Sequence, residues 1–474
     1  MPKEYKILIN GVWRTTSRPL DVTSPFDKTV VGRTYLASND ELKEAVDGAE
    51  AAFRELRSWP SYRKAAVIQK VVDGIKERAE ELSKTIALEA GKPIKDSRVE
   101  VKRAISTFQL ALEETKRLGG EVMPLDIIEG SEGRFGIIRR FPVGPVLGIS
   151  PFNFPLNLVA HKAAPAMACG SPIIIKPASN TPLTGLVLGE IITNAGWPAG
   201  GLNVVPASSE DAEKLIEDER IKTLTFTGSP AVGWRLKAKA GQKKVTLELG
   251  GNAGVIVHSD ADIGLAAKRC TEGAFSFAGQ ICISVQRIYV EKTAFDEFRD
   301  AFLKHVSKIR LGNPLDEDTD VGPMIDEAAL QKTEEFVNEA ISGGAKLLAG
   351  GKRKGNFFEP TVLTGANPMM KVCSEEVFAP VVTLEPYDGF KDAVKELNCS
   401  KYGLQAGVFT SRMGNILLAY ETLDVGGVIV NDIPTFRVDN MPYGGVKMSG
   451  FGREGVRYAI EEMTEPKLLV LKAD

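Results

Sequence analysis

A single cysteine, Cys282, lies in residues 276–284, SFAGQICIS, just after a Gly-Gln pair and between segments predicted as helix and strand. Its thiol is a candidate for four roles: a packed apolar group, a metal ligand, half of a disulfide, or a nucleophile. A nucleophilic cysteine attacks as the thiolate, which needs a depressed pKa or a neighbouring base. Attack on a carbonyl also requires a hydrogen-bond donor for the oxyanion that forms.

The number and spacing of the cysteines bear on these alternatives. The chain has five cysteines, an odd number with no CxxC pair, and only three histidines. A disulfide framework or a metal site is therefore not expected. Because a small buried apolar group is the commonest role of a cysteine, the surroundings of Cys282 must decide between packing and catalysis.

Composition sets the class of protein. The chain has 474 residues, 43% hydrophobic and 26% charged, with a net charge of −3. This length predicts two or three packing units. Because the net charge is slightly negative, nucleic acid is not an expected partner. The N-terminus has no apolar signal region, and prolines interrupt the longest apolar region, 141–176, so no membrane segment is expected. A cytoplasmic location is the resulting prediction.

Hydrophobic patterning predicts an α/β fold. Helical periodicity covers 40–57, 62–90 and 97–117, and a β-ribbon is predicted over 122–141 with its turn at 130–133. Short apolar strands then alternate with helices up to residue 250, which is typical of a doubly wound parallel sheet. The alternation begins again after 250, with a helix at 261–277, and indicates a second α/β unit. The C-terminal strand KLLVLK is expected to pair with the ribbon or with another subunit.

Ligands of open α/β sheets bind at the carboxyl ends of the strands. Four such junctions carry polar or glycine-rich sequences: 151–155 (PFNFP), 177–179 (PAS), 227–233 (TGSPAVG) and Asn252 after LELGG. The glycines of 227–233 suit a pyrophosphate at a helix N-terminus, but the segment has fewer glycines than a nucleotide fingerprint. A tight turn capped by Ser229 is the alternative.

Several motifs together resemble the aldehyde dehydrogenase superfamily over nearly the whole chain. In chain order they are SPFNFP (150–155), IIIKPAS (173–179), FTGSPAVG (226–233), LELGGNAG (247–254), GQICIS (279–284), GNPLDEDTDVGPMI (312–325), FFEPTVL (357–363), EEVFAPV (375–381) and MPYGGVKMSGFGREG (441–455). The resemblance implies that Cys282 is the nucleophile, that the Asn153 amide and the Cys282 N–H bind the oxyanion, and that Glu248 activates the water that releases the acid. Burial is expected to raise the pKa of Glu248 enough to make it a useful base.

The resemblance also implies a dinucleotide cofactor. It assigns cofactor binding to Ser150, Pro151, Phe152, Lys176, Ser179, Gly228, Ser229, Gly233, Leu249, Gly250, Glu376 and Phe378. NAD-preferring members usually have a glutamate where this chain has Ser179, and that carboxylate repels a 2′-phosphate. A neutral hydroxyl beside the Lys176 ammonium therefore favours NADP, with NAD as the alternative.

Substrate residues are harder to assign. Arg103 and Arg437 match arginines that bind the phosphate in non-phosphorylating glyceraldehyde-3-phosphate dehydrogenases of this superfamily, and His161 is a further candidate anion contact. They favour an aldehyde with an anionic tail, whereas a small hydroxyaldehyde such as lactaldehyde is the alternative. For each of these residues, a surface salt bridge or a polar group packed at a domain seam is an equally good interpretation.

Two further functions stay open at this point: a CoA-acylating aldehyde dehydrogenase, whose relatives commonly lack the glutamate, and a catalytically silent binding protein. The expected organisation is an NAD(P)-binding domain (1–121 and 142–250), a catalytic domain (251–443) and an oligomerisation arm (122–141 and 444–474), in a homodimer or homotetramer. No metal is expected.

Overall fold

Strands and helices alternate along most of the chain in the computed structural model, which describes residues 2–473. The strands are β1 (Ile7–Ile9), β2 (Val12–Arg14), β3 (Pro19–Thr23), β4 (Val30–Tyr35), β5 (Gly120–Pro124), β6 (Arg134–Pro142), β7 (Val146–Ile149), β8 (Ile173–Lys176), β9 (Leu202–Val204), β10 (Thr223–Thr227), β11 (Lys244–Glu248), β12 (Ala253–Val257), β13 (Val285–Glu291), β14 (Lys346–Ala349), β15 (Arg353–Lys354), β16 (Phe357–Phe358), β17 (Thr361–Thr364), β18 (Val381–Tyr387), β19 (Tyr402–Gly403), β20 (Gln405–Phe409), β21 (Gly427–Val430), β22 (Val446–Lys447), β23 (Gly450–Phe451) and β24 (Thr464–Lys472).

Helices cover the sheets and join their strands. They are α1 (Asn39–Leu56), α2 (Ser61–Glu77), α3 (Ala79–Ala90), α4 (Ile94–Arg117), α5 (Asn157–Cys169), α6 (Leu183–Asn194), α7 (Ser209–Lys214), α8 (Pro230–Lys239), α9 (Ile263–Phe275), α10 (Phe295–Val306), α11 (Glu327–Ser342), α12 (Lys371–Ser374), α13 (Phe390–Asn398), α14 (Met413–Thr422) and α15 (Val456–Glu462). No described helix is both long and apolar enough to cross a membrane.

An eight-stranded sheet has the order β2-β1-β9-β8-β7-β10-β11-β23. Its five central strands, from β9 to β11, run parallel, and β1 and β23 join its ends antiparallel. Ile173 and Ile175 of β8 belong to one buried hydrophobic cluster, and Ile174 belongs to another on the opposite face. The sheet is therefore covered on both faces, as the apolar runs predict. Its strands β1 and β2 are not predicted, because the sequence patterns indicate no strand before residue 122.

The second α/β unit is built on a seven-stranded sheet with the order β14-β17-β18-β13-β12-β20-β21. Only β14 runs antiparallel to its neighbour. Here too, successive residues of one strand face opposite hydrophobic clusters, with Val255 and Val257 on one side and Ile256 on the other. The prediction of an α/β fold with two parallel-strand units is confirmed.

The predicted ribbon consists of β5 and β6, joined by residues 125–133. The C-terminal strand β24 pairs with β6 of the same chain, from Thr464 opposite Pro142 to Lys472 opposite Arg134. The structure therefore pairs the C-terminal strand with the ribbon, which is one of the two partners that the sequence predicts. The nearby β23 instead pairs with β11 of the eight-stranded sheet.

Two predicted helices end earlier than their periodicity indicates. The segment 62–90 is two helices, because Arg78 leaves the helical conformation (φ −102, ψ 20) and its guanidinium bonds to Glu81 and Glu190. Ile75 and Leu82, on either side of the break, still pack in one cluster, which explains the continuous pattern. The segment 261–277 ends its helix at Phe275, because Ser276 leaves the helical conformation (φ −52, ψ 135) and Phe277 and Ala278 then adopt positive φ.

Candidate active site

The functional junctions lie side by side because of the strand register. Ile149 of β7 pairs with Lys176 of β8 and with Phe226 of β10, and Thr227 of β10 pairs with Glu248 of β11. The segments that follow these parallel strands therefore emerge at one edge of the sheet, as the sequence predicts.

A cavity of about 370 Å³ opens at this edge. Thirteen of the predicted site residues line it: Arg103, Pro151, Phe152, Asn153, Gly228, Ser229, Glu248, Leu249, Gly250, Cys282, Glu376, Phe378 and Arg437. Five predicted residues are not among its lining residues: Ser150, His161, Lys176, Ser179 and Gly233. The structure thus brings the three expected catalytic side chains together with the two arginines.

Cys282 is half-buried in the cavity, and its sulfur lies 3.2 Å from the Tyr443 hydroxyl. Burial raises the pKa of the thiol to about 11, the Tyr443 hydrogen bond opposes this, and the charge of Glu376 adds to it. In these surroundings the thiol is mostly protonated at neutral pH, so attack requires groups that favour the thiolate. All five cysteines are free.

The backbone before Cys282 is unusual. Phe277 and Ala278 have φ of 48° and 54°, in the left-handed region that side chains with a Cβ disfavour. A Cβ on Gly251, which follows β11, would lie 2.1 Å from the Cys282 carbonyl oxygen. The glycine therefore allows the chain that leaves the eight-stranded sheet to contact the cysteine loop directly.

Asn153 is oriented toward the cysteine loop. Its Nδ2 donates to the Gln280 carbonyl at 2.9 Å, which leaves its second N–H free. The Cys282 backbone N–H donates to no acceptor among residues 2–473. These two donors, on neighbouring segments of the cavity wall, are suited to an oxyanion formed on a carbonyl attached to the cysteine sulfur.

Glu248 ends β11 with its side chain buried at the cavity. Neither of its carboxylate oxygens has a hydrogen-bond partner in the described part of the chain. Burial raises its pKa well above the usual value, and the nearby Glu454 charge raises it further. Such a carboxylate binds a proton more strongly than an exposed one, which is the property of a general base.

Glu376, Phe378 and Gly250 form another wall. Burial raises the pKa of Glu376 to about 7, and this carboxylate accepts a hydrogen bond of 2.9 Å from the Gly251 N–H. A Cβ on Gly250 would lie 2.3 Å from Glu376 Oε2, so a larger residue there would displace this carboxylate. Phe378, with φ 58°, packs edge-on against Phe152 at 6.0 Å between ring centroids.

A dinucleotide fits the predicted cofactor residues. Lys176 is buried at the end of β8, yet its ammonium forms no hydrogen bond or ion pair with any described residue, and burial lowers its pKa. A buried unpaired cation favours an anionic ligand. Ser179 lies half-buried on the turn after it and does not cap α6, whose first N–H groups bond to the Glu89 carboxylate instead.

Three other predicted cofactor residues either allow a close contact or have a side chain without a partner in the described structure. A Cβ on Gly233 would lie 2.3 Å from the Leu249 side chain, so the glycine allows α8 to pack against Leu249. The buried Ser150 hydroxyl has no partner in the described structure. Ser229 occupies the N-cap position of α8, but its side chain makes no capping bond, so the alternative of a serine-capped turn is not supported.

The two arginines belong to an ion cluster in which the side chain of Arg103 alone is partly exposed and those of the other members are buried: Arg103, Lys162, Arg437, Asp439 and Glu454. Arg103 bonds to Asp439 at 2.7 Å, and Glu454 bonds to Lys162 at 3.1 Å and to Arg437 at 3.2 Å. His161 lies inside this cluster, 2.8 Å from Asp439 and 3.4 Å from Arg437, and does not line the cavity. Burial, followed by the Arg437 charge, lowers its pKa and favours the neutral ring.

Sequence reasoning missed several residues of the site. Tyr443 and Glu454 both lie in the motif MPYGGVKMSGFGREG, and Lys162 is adjacent to His161 in the chain. Lys332 of α11 also lines the cavity and donates to the Glu376 carbonyl at 2.8 Å. Only Tyr443 and Glu454 carried a signal, namely their place in a family motif.

Comparisons with known proteins agree with this geometry. The model of the aldehyde dehydrogenase family matches residues 13–469. A 3-sulfolactaldehyde dehydrogenase from Priestia aryabhattai is 44% identical over 99% of this chain and 98% of its own length. A lactaldehyde dehydrogenase from Methanocaldococcus jannaschii is 41% identical over 98% of this chain and all of its own.

Among solved structures, aldehyde dehydrogenase 21 from Physcomitrella patens, in complex with the reaction product succinate, superposes with a TM-score of 0.98 at 47% identity, covering 100% of this chain and 99% of the other. A glyceraldehyde-3-phosphate dehydrogenase from M. jannaschii complexed with NADP gives 0.93 at 41% identity, covering 97% and 100%. The chain belongs to the aldehyde dehydrogenase family and is an NAD(P)-dependent enzyme that oxidises aldehydes.

Proposed function

We propose that Cys282 is the nucleophile, that Asn153 and the Cys282 N–H bind the oxyanion, and that Glu248 is the general base. The observation that carries this proposal is the meeting of a thiol, an amide and a buried carboxylate in one cavity, although they come from three distant segments. The unpaired oxygens of Glu248 also make it available to a water molecule. A carboxylate in this place argues against transfer of the acyl group to CoA and against a silent binding protein.

The reaction follows from these roles. The Cys282 thiolate bonds to the aldehyde carbon, the carbonyl π pair moves to oxygen, and the two N–H donors bind this oxyanion. Bound NAD(P)⁺ supplies the acceptor for the hydride that leaves this carbon. Cys282 then carries a thioester. Glu248 takes a proton from water as the water oxygen attacks the thioester, Cys282 leaves as thiolate, and the acid is released.

A pre-steady-state experiment with aldehyde in excess over enzyme tests the roles. Wild-type enzyme is expected to produce a burst of NAD(P)H when mixed with aldehyde. Cys282→Ala should show no burst, because no covalent adduct forms. Glu248→Gln should keep a burst but lose turnover by about 10²–10⁴-fold, because the thioester persists without its base. A burst in Cys282→Ala, or normal turnover in Glu248→Gln, would contradict the proposal.

We also propose a preference for NADP. Support comes from the neutral Ser179 hydroxyl and the unpaired Lys176 ammonium, which offer a donor and a cation to a 2′-phosphate in place of a repelling carboxylate. The M. jannaschii relative is described as complexed with NADP, whereas a relative from Sinorhizobium meliloti is described as NAD-dependent.

The proposed substrate is a small aldehyde with an anionic tail. The ion cluster holds three cations, Arg103, Lys162 and Arg437, and two carboxylates, Asp439 and Glu454. A substrate anion would balance this excess positive charge. The wall is otherwise largely apolar, with Phe154, Leu158, Ile281 and Ile283, which suits a short carbon chain.

We further propose that the ribbon and β24 form an oligomerisation arm of a homodimer or homotetramer. Leu468, Leu469, Val470 and Leu471 are exposed along β24, and a continuous apolar strand at a sheet edge favours association. The NAD(P)-binding and catalytic domain boundaries and the cytoplasmic location remain predictions of the sequence.

A further inference from the structure

Few groups around Cys282 favour its thiolate. Burial and the carboxylates Glu376 and Glu248 all raise the pKa of the thiol, and the groups that oppose them are the Tyr443 hydroxyl and the Arg437 charge. Arg103 and Lys332 also line the cavity but make their own contacts, with Asp439 and with the Glu376 carbonyl. The direct hydrogen-bonding contact of the sulfur is therefore with Tyr443, at 3.2 Å.

Tyr443 is held in place from two sides. Its backbone N–H donates to the Glu454 carbonyl at 2.9 Å, and the Glu454 N–H donates back to its carbonyl at 2.6 Å. The Arg437 guanidinium lies 3.5 Å from the centre of its ring, a cation–π contact, and Arg437 is itself fixed by the Glu454 carboxylate at 3.2 Å. The hydroxyl is therefore prepositioned at the sulfur before any substrate arrives.

The direction of the hydrogen bond follows from acidity. Burial, followed by the charge of Cys282, raises the pKa of Tyr443 well above its usual value, so the phenol keeps its proton. When the sulfur is ionised, it has no proton to donate, and the hydroxyl must donate to it. A hydrogen bond that is strongest to the charged form favours that form.

We propose that Tyr443 is a further catalytic residue whose hydroxyl donates to the Cys282 sulfur and stabilises its thiolate, while its ring supports Arg437. This inference rests on the proposed role of Cys282 as nucleophile. The same donor stabilises the sulfur twice in the cycle, once as the attacking thiolate and once as the leaving group when the thioester is hydrolysed. One side chain thus joins the nucleophile to an arginine of the proposed anion site.

The test is the pH dependence of Cys282 alkylation by iodoacetamide in the intact enzyme, followed by the mass of the Cys282 peptide. In Tyr443→Phe the midpoint is expected to move up by about half to one pH unit, and alkylation at pH 8 to slow about threefold to tenfold, because one hydrogen bond to the thiolate is lost. Cys399, which is exposed, is an internal reference whose rate should not change. Tyr387→Phe, which removes a buried hydroxyl far from the cavity, is the matched control.

Kinetics separate the hydroxyl from the ring. Tyr443→Phe should lower kcat and leave KM for an anionic aldehyde nearly unchanged, because the ring still lies under Arg437, whereas Tyr443→Leu should raise KM as well. An unchanged or lowered alkylation midpoint in Tyr443→Phe would overturn the inference, since the hydroxyl would then not favour the thiolate. A raised midpoint together with a burst in Cys282→Ala would support the Tyr443 hydrogen bond but would contradict the role of Cys282 as nucleophile. The two proposals can therefore be tested independently.

Discussion

Several buried polar atoms at the cavity have no hydrogen-bond partner within residues 2–473. They are Asn153 Oδ1, both Glu248 carboxylate oxygens and Arg437 Nε, with His161 Nδ1 just behind them. An unpaired buried polar atom costs about 1–3 kcal/mol, so folding does not favour such a cluster for its own sake. At the scale of single residues, these unpaired atoms therefore indicate a site that binds ligands from outside the protein.

Cofactor choice is the first prediction at this scale. Ser179→Glu is expected to lower kcat/KM with NADP by about tenfold or more and to leave kcat/KM with NAD similar or higher, because the new carboxylate repels the 2′-phosphate. Steady-state kinetics with both cofactors measure the ratio. Ser342→Glu, an exposed site on α11, controls for the added charge. An unchanged ratio would remove Ser179 from cofactor selection.

Arg103 offers the cleaner test of the anion site. Arg437 also contacts Tyr443 and Glu454, so its replacement would disturb both. Arg103 is 24% exposed, and its partner Asp439 would still bond to His161 if Arg103 were replaced. Arg103→Gln should raise KM for succinic semialdehyde about tenfold and change KM for butanal less than twofold, because only the former carries a carboxylate. Arg98→Gln, on the exposed face of α4, is the matched control. Equal effects on both aldehydes would exclude Arg103 from tail recognition.

At the scale of elements, α4 holds the loop that carries Asn153. Glu100 Oε1 accepts the N–H groups of Leu156 and Asn157, at the start of α5, at 2.9 and 3.1 Å. Its other oxygen pairs with Lys92, and both side chains are almost fully buried, 1% and 0% exposed. The Lys92 ammonium also lies 3.6 Å from the centre of the Phe154 ring and 4.6 Å from that of Phe277. One ion pair thus joins the Asn153 loop to the cysteine loop.

Breaking this pair should be costly. Lys92→Met is expected to lower the free energy of unfolding by about 3–5 kcal/mol, because it leaves the Glu100 carboxylate buried and unpaired. The double variant Lys92→Met/Glu100→Gln should recover part of the loss, because a glutamine oxygen still accepts the two N–H groups and carries no charge. Urea unfolding measures both values.

A half-exposed pair provides the comparison. Lys95 pairs with Asp320 near the same end of α4, with side chains 41% and 34% exposed. Lys95→Met should cost no more than about 1 kcal/mol. If Lys92→Met cost as little as Lys95→Met, or if the double variant were less stable than the single one, the buried pair would not hold these loops together.

At the scale of the molecule, the chain crosses from one sheet to the other at the active site. Residues 249–252 join β11 of the eight-stranded sheet to β12 of the seven-stranded sheet, and Asn252 donates to the carbonyls of Cys373 and Glu375. Glu248, the proposed general base, thus ends a strand of one sheet, and Cys282, the proposed nucleophile, precedes β13 of the other. Catalytic geometry therefore depends on how the two sheets pack, not on either one alone.

Association through the arm is the prediction at this scale. Leu469→Lys, on a residue 54% exposed on β24, is expected to shift the enzyme to a smaller species, because a charge at an apolar interface is costly to bury. Light scattering after size exclusion measures the mass. Met369→Lys, 84% exposed on a loop, controls for the loss of an apolar surface residue. An unchanged mass in Leu469→Lys, or a monomeric wild type, would contradict an oligomerisation arm.

The sequence by itself determined the alternation of strands and helices and the positions of Cys282, Asn153 and Glu248, because these depend on local patterns and on motifs contiguous in the chain. The ends of β7, β8, β10 and β11 were predictable as one edge, since parallel strands of a single sheet point the same way. Their contact with the cysteine loop was implied only by the family resemblance, because that loop precedes a strand of the other sheet and no local pattern links the two.

Tertiary structure alone decided the features that join distant residues. The break at Arg78, the left-handed backbone at Phe277 and Ala278, the Lys92–Glu100 pair and the Tyr443 hydroxyl at the Cys282 sulfur each require contacts or conformations that hydrophobic periodicity does not encode. A pattern of apolar residues records which side of an element is buried. It does not show which polar groups lie in contact there, and those contacts set the pKa values of the groups proposed to carry out the reaction.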